Sequence, residues 1–459
     1  MTTKLIGVVF LTLSIMPAKA QDSKTWTLES CVNYAVEHNL TIKQQEDNVE
    51  QQRISLSTAK NSRLPDLNGS IGQNFNFGRG NSSDNVTISG NVQSTNFGLN
   101  TSVPLITGGR IPAEIKVRSL GLEAALADLS KARESVALQV ISAYLEAIYQ
   151  QELVEVARRQ VELSEAQVRR SQLLFDNNKT SAADLAQIKA QKANDESSLV
   201  SQENNYQLAL LNLSQLLELD KAEGMTLSKP TETSISGIVL PAPDIVYSEA
   251  LGIKPQIAAE ELRLKSAQKN VTIARSALYP SLSLSAGLSS GYYSSEYNYV
   301  PREYPDANGK KQVTMVPGDR VAFGTQLKNH FNKYIALNLS IPIFNRFQTR
   351  NNIRAAKLQV HTQEIQLEQT RKTLYKEIQQ AYYNALGAQR QCSSSATALS
   401  ASQESFALMK SKYENGKATP TEFQEAKTNL MKAESTAIQN RYTFLFRQKI
   451  LDFYRKGVY

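Results

Sequence analysis

Two periods of apolar residues alternate along this chain. From Val136 through Val140, Ala143, Tyr144, Ala147 and Ile148, apolar positions recur at three- and four-residue intervals, with Glu, Lys, Arg and Gln between them. Such a stripe predicts an amphipathic, coiled-coil-like helix. Around 66–77 the period drops to two, with Leu67, Gly69, Ile71, Phe75 and Phe77 opposite Asp66, Asn68, Ser70, Asn74 and Asn76. The same alternation runs over 96–105, over Leu282 to Leu288, and over Ile335 to Ile343. These are four strands, each with one apolar face and one Asn/Ser-rich face.

The patterns occur twice. The segment Ser57 to Leu67 matches Thr272 to Leu282 at a shift of 215 residues. Further on, Ser102-Val103-Pro104-Leu105 matches Ser340-Ile341-Pro342-Ile343, and Phe175 to Lys179 matches Tyr413 to Lys417, both at a shift of 238. The 23 residues by which the second shift exceeds the first are an insertion between Pro280 and Pro342. The chain is therefore divided into 1–20, a first repeat at 21–228 and a second at 229–459. Each repeat contains a helix (28–63 and 244–278), a strand pair (66–105 and 281–343), a very long helix (112–175 and 347–414) and a return helix (182–217 and 420–454). Residues 131–223 contain neither Gly nor Pro, so only the polar turn 176–181 punctuates them. At about 1.5 Å per residue the long helices should reach roughly 95–100 Å.

Residues 1–20 carry Lys4, an apolar run from Leu5 to Met16 and an Ala18-Lys19-Ala20 end, which reads as an export signal. Cys31 lies outside any small-residue lipobox, and Cys31 and Cys392 read as two buried thiols or an incidental pair rather than a disulfide framework. The net charge of +8 falls to +6 without Lys4 and Lys19, and it is interleaved with acids along helices. In an exported chain this describes a solvated surface and gives no reason to expect nucleic acid.

No apolar run is long enough for a membrane helix, so a membrane role must come from strands. Runs of about 10 residues suit tilted strands crossing a bilayer, and the polar second face suits a watery lumen. Four strands cannot close on themselves, so partner subunits are required; two chains would give eight strands and three would give twelve. The connections at 78–95 and 290–333 read as long outward-facing loops, the second rich in Tyr. No catalytic constellation, cofactor motif or metal-ligand cluster stands out, since His38, His330 and His361 are scattered. The chain does not read as an enzyme.

This arrangement resembles the outer-membrane efflux proteins, the TolC-like channels, over essentially the whole mature chain. The prolines Pro65, Pro104, Pro280 and Pro342 at helix–strand junctions carry the resemblance, together with the turns Leu173 to Leu185 and Tyr413 to Phe423. Asn178 stands where the family usually has Gly. The resemblance implies a mainly α fold with a membrane part: tandem-duplicated helical hairpins forming a periplasmic α-barrel, under a trimeric twelve-stranded outer-membrane β-barrel. It implies a homotrimer meeting a periplasmic adaptor (membrane fusion protein) and an inner-membrane pump or exporter. Such a channel would passively conduct drugs, small molecules or exported protein in an efflux pump or type I secretion system. Adaptor contacts are expected at Asn177, Asn178, Lys179, Thr180, Asn415, Gly416, Lys417 and Ala418. Glu422 and Glu425, three apart on one helical face, correspond to acids that ring the family's periplasmic constriction, although Thr419-Pro420-Thr421-Glu422 also reads as a capping box. The competing reading is a structural periplasmic coiled-coil or adhesin-like protein with a soluble sheet.

Overall fold

The computed structural model describes residues 25–81, 87–89, 91–221, 224–229, 239–305 and 309–457; the export signal expected at 1–20 lies outside them. In chain order the elements are β1 (Thr25–Trp26), α1 (Leu28–His38), α2 (Leu40–Asn61), β2 (Asn68–Asn76), β3 (Arg79–Asn81), β4 (Thr87–Ser89), β5 (Val92–Thr107), α3 (Arg110–Asp176), α4 (Ala182–Leu216), β6 (Thr226–Leu227), α5 (Pro243–Ile253), α6 (Pro255–Ser276), β7 (Ser281–Tyr293), β8 (Tyr297–Pro305), β9 (Lys311–Arg320), α7 (Phe323–Asn329), β10 (Asn332–Ser340), α8 (Gln348–Glu414) and α9 (Pro420–Lys456). The long helices α3 and α8 each have 67 residues and begin and end 238 apart. The described residues form two compact units, each drawing on both halves, one within 1–45, 129–254 and 372–459 and the other within 46–128 and 255–371.

The first unit is helical. Val140, Ile141, Tyr144, Ala147 and Ile148 of α3, Leu213 of α4, Leu374 and Ile378 of α8, and Phe444 and Leu451 of α9 are buried there. Beside them β1 and β6 form a short parallel pair. The Tyr144 hydroxyl reaches the carbonyl oxygens of Trp26 and Ser228, serving the backbone polar groups that so short a ladder leaves over. Both cysteines are free and buried, and burial pushes the Cys31 thiol up to about 12.

The expected single helices 28–63 and 244–278 are each broken, at Asn39 and Lys254, whose backbones turn extended. These two positions are 215 apart. Pro255 explains the second break, because the residue before a proline is pushed out of helical geometry. At the first, the Asn39 side chain accepts from Thr41 N at 2.9 Å and donates to Leu216 O at 3.2 Å. Lys254 donates to Phe453 O at 3.0 Å and Glu134 at 3.3 Å. Each break thus supplies a donor to the C-terminal turn of a return helix, where carbonyls lack partners.

The second unit contains a four-stranded antiparallel sheet in the order β10-β7-β5-β2. Its register aligns Ile71 with Phe97, Leu99 with Leu288, and Ala286 with Ile335 on one face. Ser70, Gly98 and Ser289 meet on the other, as do Asn100, Gly287 and Tyr334. There the Tyr334 hydroxyl donates to Asn100 at 3.2 Å, and a Cβ at Gly287 would stand 2.5 Å from the Tyr334 ring.

Two details differ from expectation. Pro104 lies inside β5 rather than at a junction; a register shift between Pro104 and Ile106 absorbs its missing donor. The 290–333 connection is not an irregular loop: β7 continues to Tyr293, β8 pairs with β9, and α7 follows. Buried Gln326 pins α7 by accepting from Tyr293 N at 2.7 Å and donating to Tyr293 O and Val321 O. Parts of the 78–95 connection lie outside the described residues.

Candidate functional site in the exposed sheet and the hairpin tips

The apolar face of the sheet is uncovered. Ile335 is 80% exposed, and Ile71, Phe75, Leu337 and Leu339 are exposed as well. A contiguous apolar face of this kind is far larger than scattered surface hydrophobics and calls for an apolar surrounding. Both edges, β2 and β10, have unpaired ladder groups on their outer sides. The opposite face carries Asn, Ser and Gly, so the sheet can separate a lipid phase from water. No described helix is long and apolar enough to cross a membrane.

The two hairpin turns are built alike. In the first, Asn178 has φ +55°, Lys179 N donates to Leu174 O at 2.8 Å, and Asn177 Nδ2 donates to Leu173 O at 2.7 Å. In the second, Gly416 has φ +71°, Lys417 N donates to Lys412 O at 2.8 Å, and Asn415 Nδ2 donates to Ser411 O at 2.8 Å. Every member is shifted by 238. The i to i−5 bond with a left-handed residue is a Schellman cap, and Asn can take the left-handed position where Gly is absent. Asn177, Asn178, Lys179, Asn415, Gly416 and Lys417 are exposed, and Thr180 and Ala418 are half-buried.

Each return helix then starts with a capping box. The Ser181 hydroxyl accepts from Asp184 N while Asp184 accepts from Ser181 N; Thr419 and Glu422 do the same. Glu422 Oε2 accepts from Thr419 N and from the Thr419 hydroxyl, both at 2.8 Å. These bonds hold the Glu422 carboxyl below the usual carboxylate range, the backbone bond contributing most. The Asp184 carboxyl is held down likewise, first by the Ser181 hydroxyl. Glu425 is exposed and makes no hydrogen bond or ion pair among the described residues. The expected pair thus divides into a structural cap and a free carboxylate one turn on.

Sequence reasoning did not find a buried polar cluster a short way up the helices. Lys427 of α9 is 1% exposed; its Nζ donates to Asp195 of α4 at 2.8 Å and Ser164 of α3 at 2.6 Å. Gln191 Nε2 donates to the other Asp195 oxygen at 2.8 Å, and the Ser164 hydroxyl also touches that carboxylate. Burial pushes the Lys427 ammonium below the ordinary lysine value, against the pull of Asp195. Arg170 of α3 adds a second tie, donating to Glu414 O at 2.8 Å and Tyr413 O at 3.4 Å. Arg159 approaches Glu434 at 3.7 Å. The sequence signal was faint: a Lys, an Asp and a Ser set among apolar neighbours on three separate helices.

The family model for outer membrane efflux proteins matches residues 31–218 and 246–451. The chain belongs to the outer membrane efflux protein family. Among curated relatives it is similar to the pyoverdine export outer membrane protein OpmQ of Pseudomonas aeruginosa, with 26% identity over 405 residues, covering 86% of this chain and 77% of that one. It is also similar to the probable outer membrane lipoprotein SilC of Salmonella typhimurium, with 22% identity over 419 residues, covering 90% and 82%. Its fold matches the CmeC outer membrane channel of Campylobacter jejuni at a TM-score of 0.73 and 20% identity, covering 94% of this chain and 85% of that one. The outer membrane protein VceC of Vibrio cholerae gives 0.72 at 16% identity, covering 94% and 96%. The exposed apolar sheet is accordingly the outer-membrane part of an efflux channel, and the coiled-coil or adhesin-like alternative is set aside.

Proposed function

We propose that three copies of this chain close one barrel, β2 of each pairing with β10 of the next, to form the outer-membrane conduit of a tripartite efflux pump. The observation that carries this is a sheet whose two edges are open and whose apolar face is bare. In lipid neither can remain unpaired, because each orphaned backbone group costs several kcal/mol. Transport is passive in this reading, and the energy and the choice of cargo belong to an inner-membrane pump joined through a periplasmic adaptor. The exposed turns at Asn177 to Thr180 and Asn415 to Ala418 are the adaptor contacts.

Within the conduit, Glu425 is the better candidate for a carboxylate ring at the narrow end, and Glu422 contributes charge while it caps α9. Rings of acids select cations and let multivalent ions obstruct flow. Planar-bilayer recording tests this with the purified protein. The expected result is channel conductance that millimolar divalent or trivalent cations block from the helical side, with the block weakened by Glu425→Ala and less so by Glu422→Ala. Unchanged block in the double variant would refute the ring; absence of any conductance would refute the conduit.

A further inference from the structure

The two repeats differ at the point where the sheet hands over to the long helices. Where Gly108 and Gly109 lead into α3, Arg346 and Phe347 lead into α8, both with left-handed backbone at φ +54° and +61°. Side chains of that size are rarely held so, because Cβ crowds the following carbonyl oxygen. The strained turn places a set of bare groups at the end of the sheet. Phe344 and Phe347 meet edge-on at 5.5 Å, and both rings are exposed, as is Ile343. Arg350, Arg354 and Lys357 follow at four- and three-residue spacing and so share one face of α8. These three and Arg346 are exposed, and none makes a hydrogen bond or ion pair among the described residues.

In water this arrangement is unfavourable. Residues 348–363 contain no acid, like charges four residues apart repel, and Arg350 in the first turn opposes the helix dipole. The matching stretch of α3 is balanced, with Arg110 on Glu114 at 3.0 Å and Lys116 on Glu123 at 4.0 Å. Nor would flanking helices cover the stripe. The α3 helix has α2 on one side, where Gly121 faces Gln52, and α6 on the other, where Arg263 pairs with Asp128. Even so, Pro112 and Lys116, which match Arg350 and Arg354, stay exposed, and Ser119, which matches Lys357, is half-buried.

We infer that Arg346, Arg350, Arg354 and Lys357 bind the phosphates of anionic phospholipids in the periplasmic leaflet of the outer membrane, with Phe344 and Phe347 at the acyl boundary. Side chains on a helix lean toward its N-terminus, and the N-terminus of α8 is the end joined to the sheet. Over the roughly 11 Å from Arg350 to Lys357, the cations therefore reach back toward the headgroups. The planar guanidinium forks match phosphate oxygens in pairs. Apolar sheet, aromatic pair and cations follow one another along the chain in the order in which a phospholipid presents tail, boundary and phosphate. The inference needs the sheet to lie in the membrane and does not depend on how many copies close the barrel.

The test is native mass spectrometry of the full-length protein in detergent with equimolar phosphatidylglycerol and phosphatidylcholine, the retained lipid being counted per chain in whatever oligomer is present. Each cation near an anionic headgroup contributes up to about fivefold, so the parent should retain phosphatidylglycerol in preference by about tenfold or more. Arg350→Gln with Arg354→Gln and Lys357→Gln should bring the ratio to within about twofold of parity, and Lys116→Gln with Arg118→Gln on α3 should leave it within about twofold of the parent. Hydrogen exchange over 348–357 of the parent should slow with phosphatidylglycerol and not with phosphatidylcholine. No preference in the parent, a preference that survives the triple variant, or an equal loss in the α3 variant would overturn the inference. The same slowing with inorganic phosphate would make the stripe a water-facing anion site, and with a soluble muropeptide a cell-wall contact; either overturns it. The exchange measurement on the parent needs no variant to fold, and slowing that is absent from 348–357 or equal in the two lipids would be as decisive.

Discussion

Lys427→Met removes one partner of a buried ion pair and keeps the volume of the side chain. At 2.8 Å and an effective dielectric constant near 20, the attraction between Lys427 and Asp195 is about 6 kcal/mol. Taking the two ions out of water costs several kcal/mol each, so the pair contributes little net stability. The downward push on the Lys427 ammonium, with burial as its largest cause, points the same way. Losing only the lysine is different. Asp195, 7% exposed, would keep Gln191 and Ser164 as donors but no countercharge, at a cost of about 3–5 kcal/mol. A detergent-solubilised channel unfolds irreversibly more often than not, so the useful readout is local opening by hydrogen exchange around 423–431. Protection there should fall by about two to three and a half orders of magnitude in Lys427→Met. Lys427→Met with Asp195→Leu should return to within about 1.5 kcal/mol of the parent, because Ser164 still has Gln160 O as an acceptor at 3.0 Å. A single variant that costs under about 1 kcal/mol, or a double variant as frayed as the single, would refute this account.

Two further outcomes follow from the same geometry. Acidification should loosen both hairpin tips. Glu422 and Asp184 have folded values below their ordinary 4.5 and 3.8, so their stabilisation is fully present above those values and is lost as pH falls through the lowered ones. Exchange of the amides of Asp184 and Glu422, measured down to acid pH, should accelerate in that window and do so less in Asp184→Asn and Glu422→Gln, which cannot lose a charge. At the start of α8, Arg346 and Phe347 have φ +54° and +61° where the first repeat places Gly108 and Gly109 at +58° and +82°. Left-handed geometry costs a side chain about 1–2 kcal/mol, partly offset by the extra freedom of glycine when unfolded, so Arg346→Gly should gain about 0.5–1 kcal/mol. Gly108→Ala should lose stability, because its Cβ would stand 2.6 Å from Ser276 O. Thermal dissociation of both variants checks the pair, and a stabilised Gly108→Ala would contradict it.

Much of this molecule was legible as periodicity. The change from a 3.6-residue to a 2-residue period located the four strands, and the constant 238 shift gave long helices that match α3 and α8 within two residues. The Asn178 turn was readable because only a few residue types accept a left-handed backbone. These features are local, fixed by neighbours a few residues away. The break at Asn39 and the hairpin and helix inside the 290–333 connection depended on distant groups, whereas the break before Pro255 and the capping role that separates Glu422 from Glu425 are set by residues within three positions. The buried Lys427 cluster lay furthest out of reach, since it joins α3, α4 and α9 across 263 residues and no spacing rule connects Ser164 to Lys427. The sequence by itself determined the elements, their duplication and the need for an apolar surrounding, because propensity and amphipathicity act over one or two turns. Only the tertiary structure decided that Lys427, Asp195 and Ser164 are buried together, because that depends on which desolvated groups meet, and packing alone brings them together.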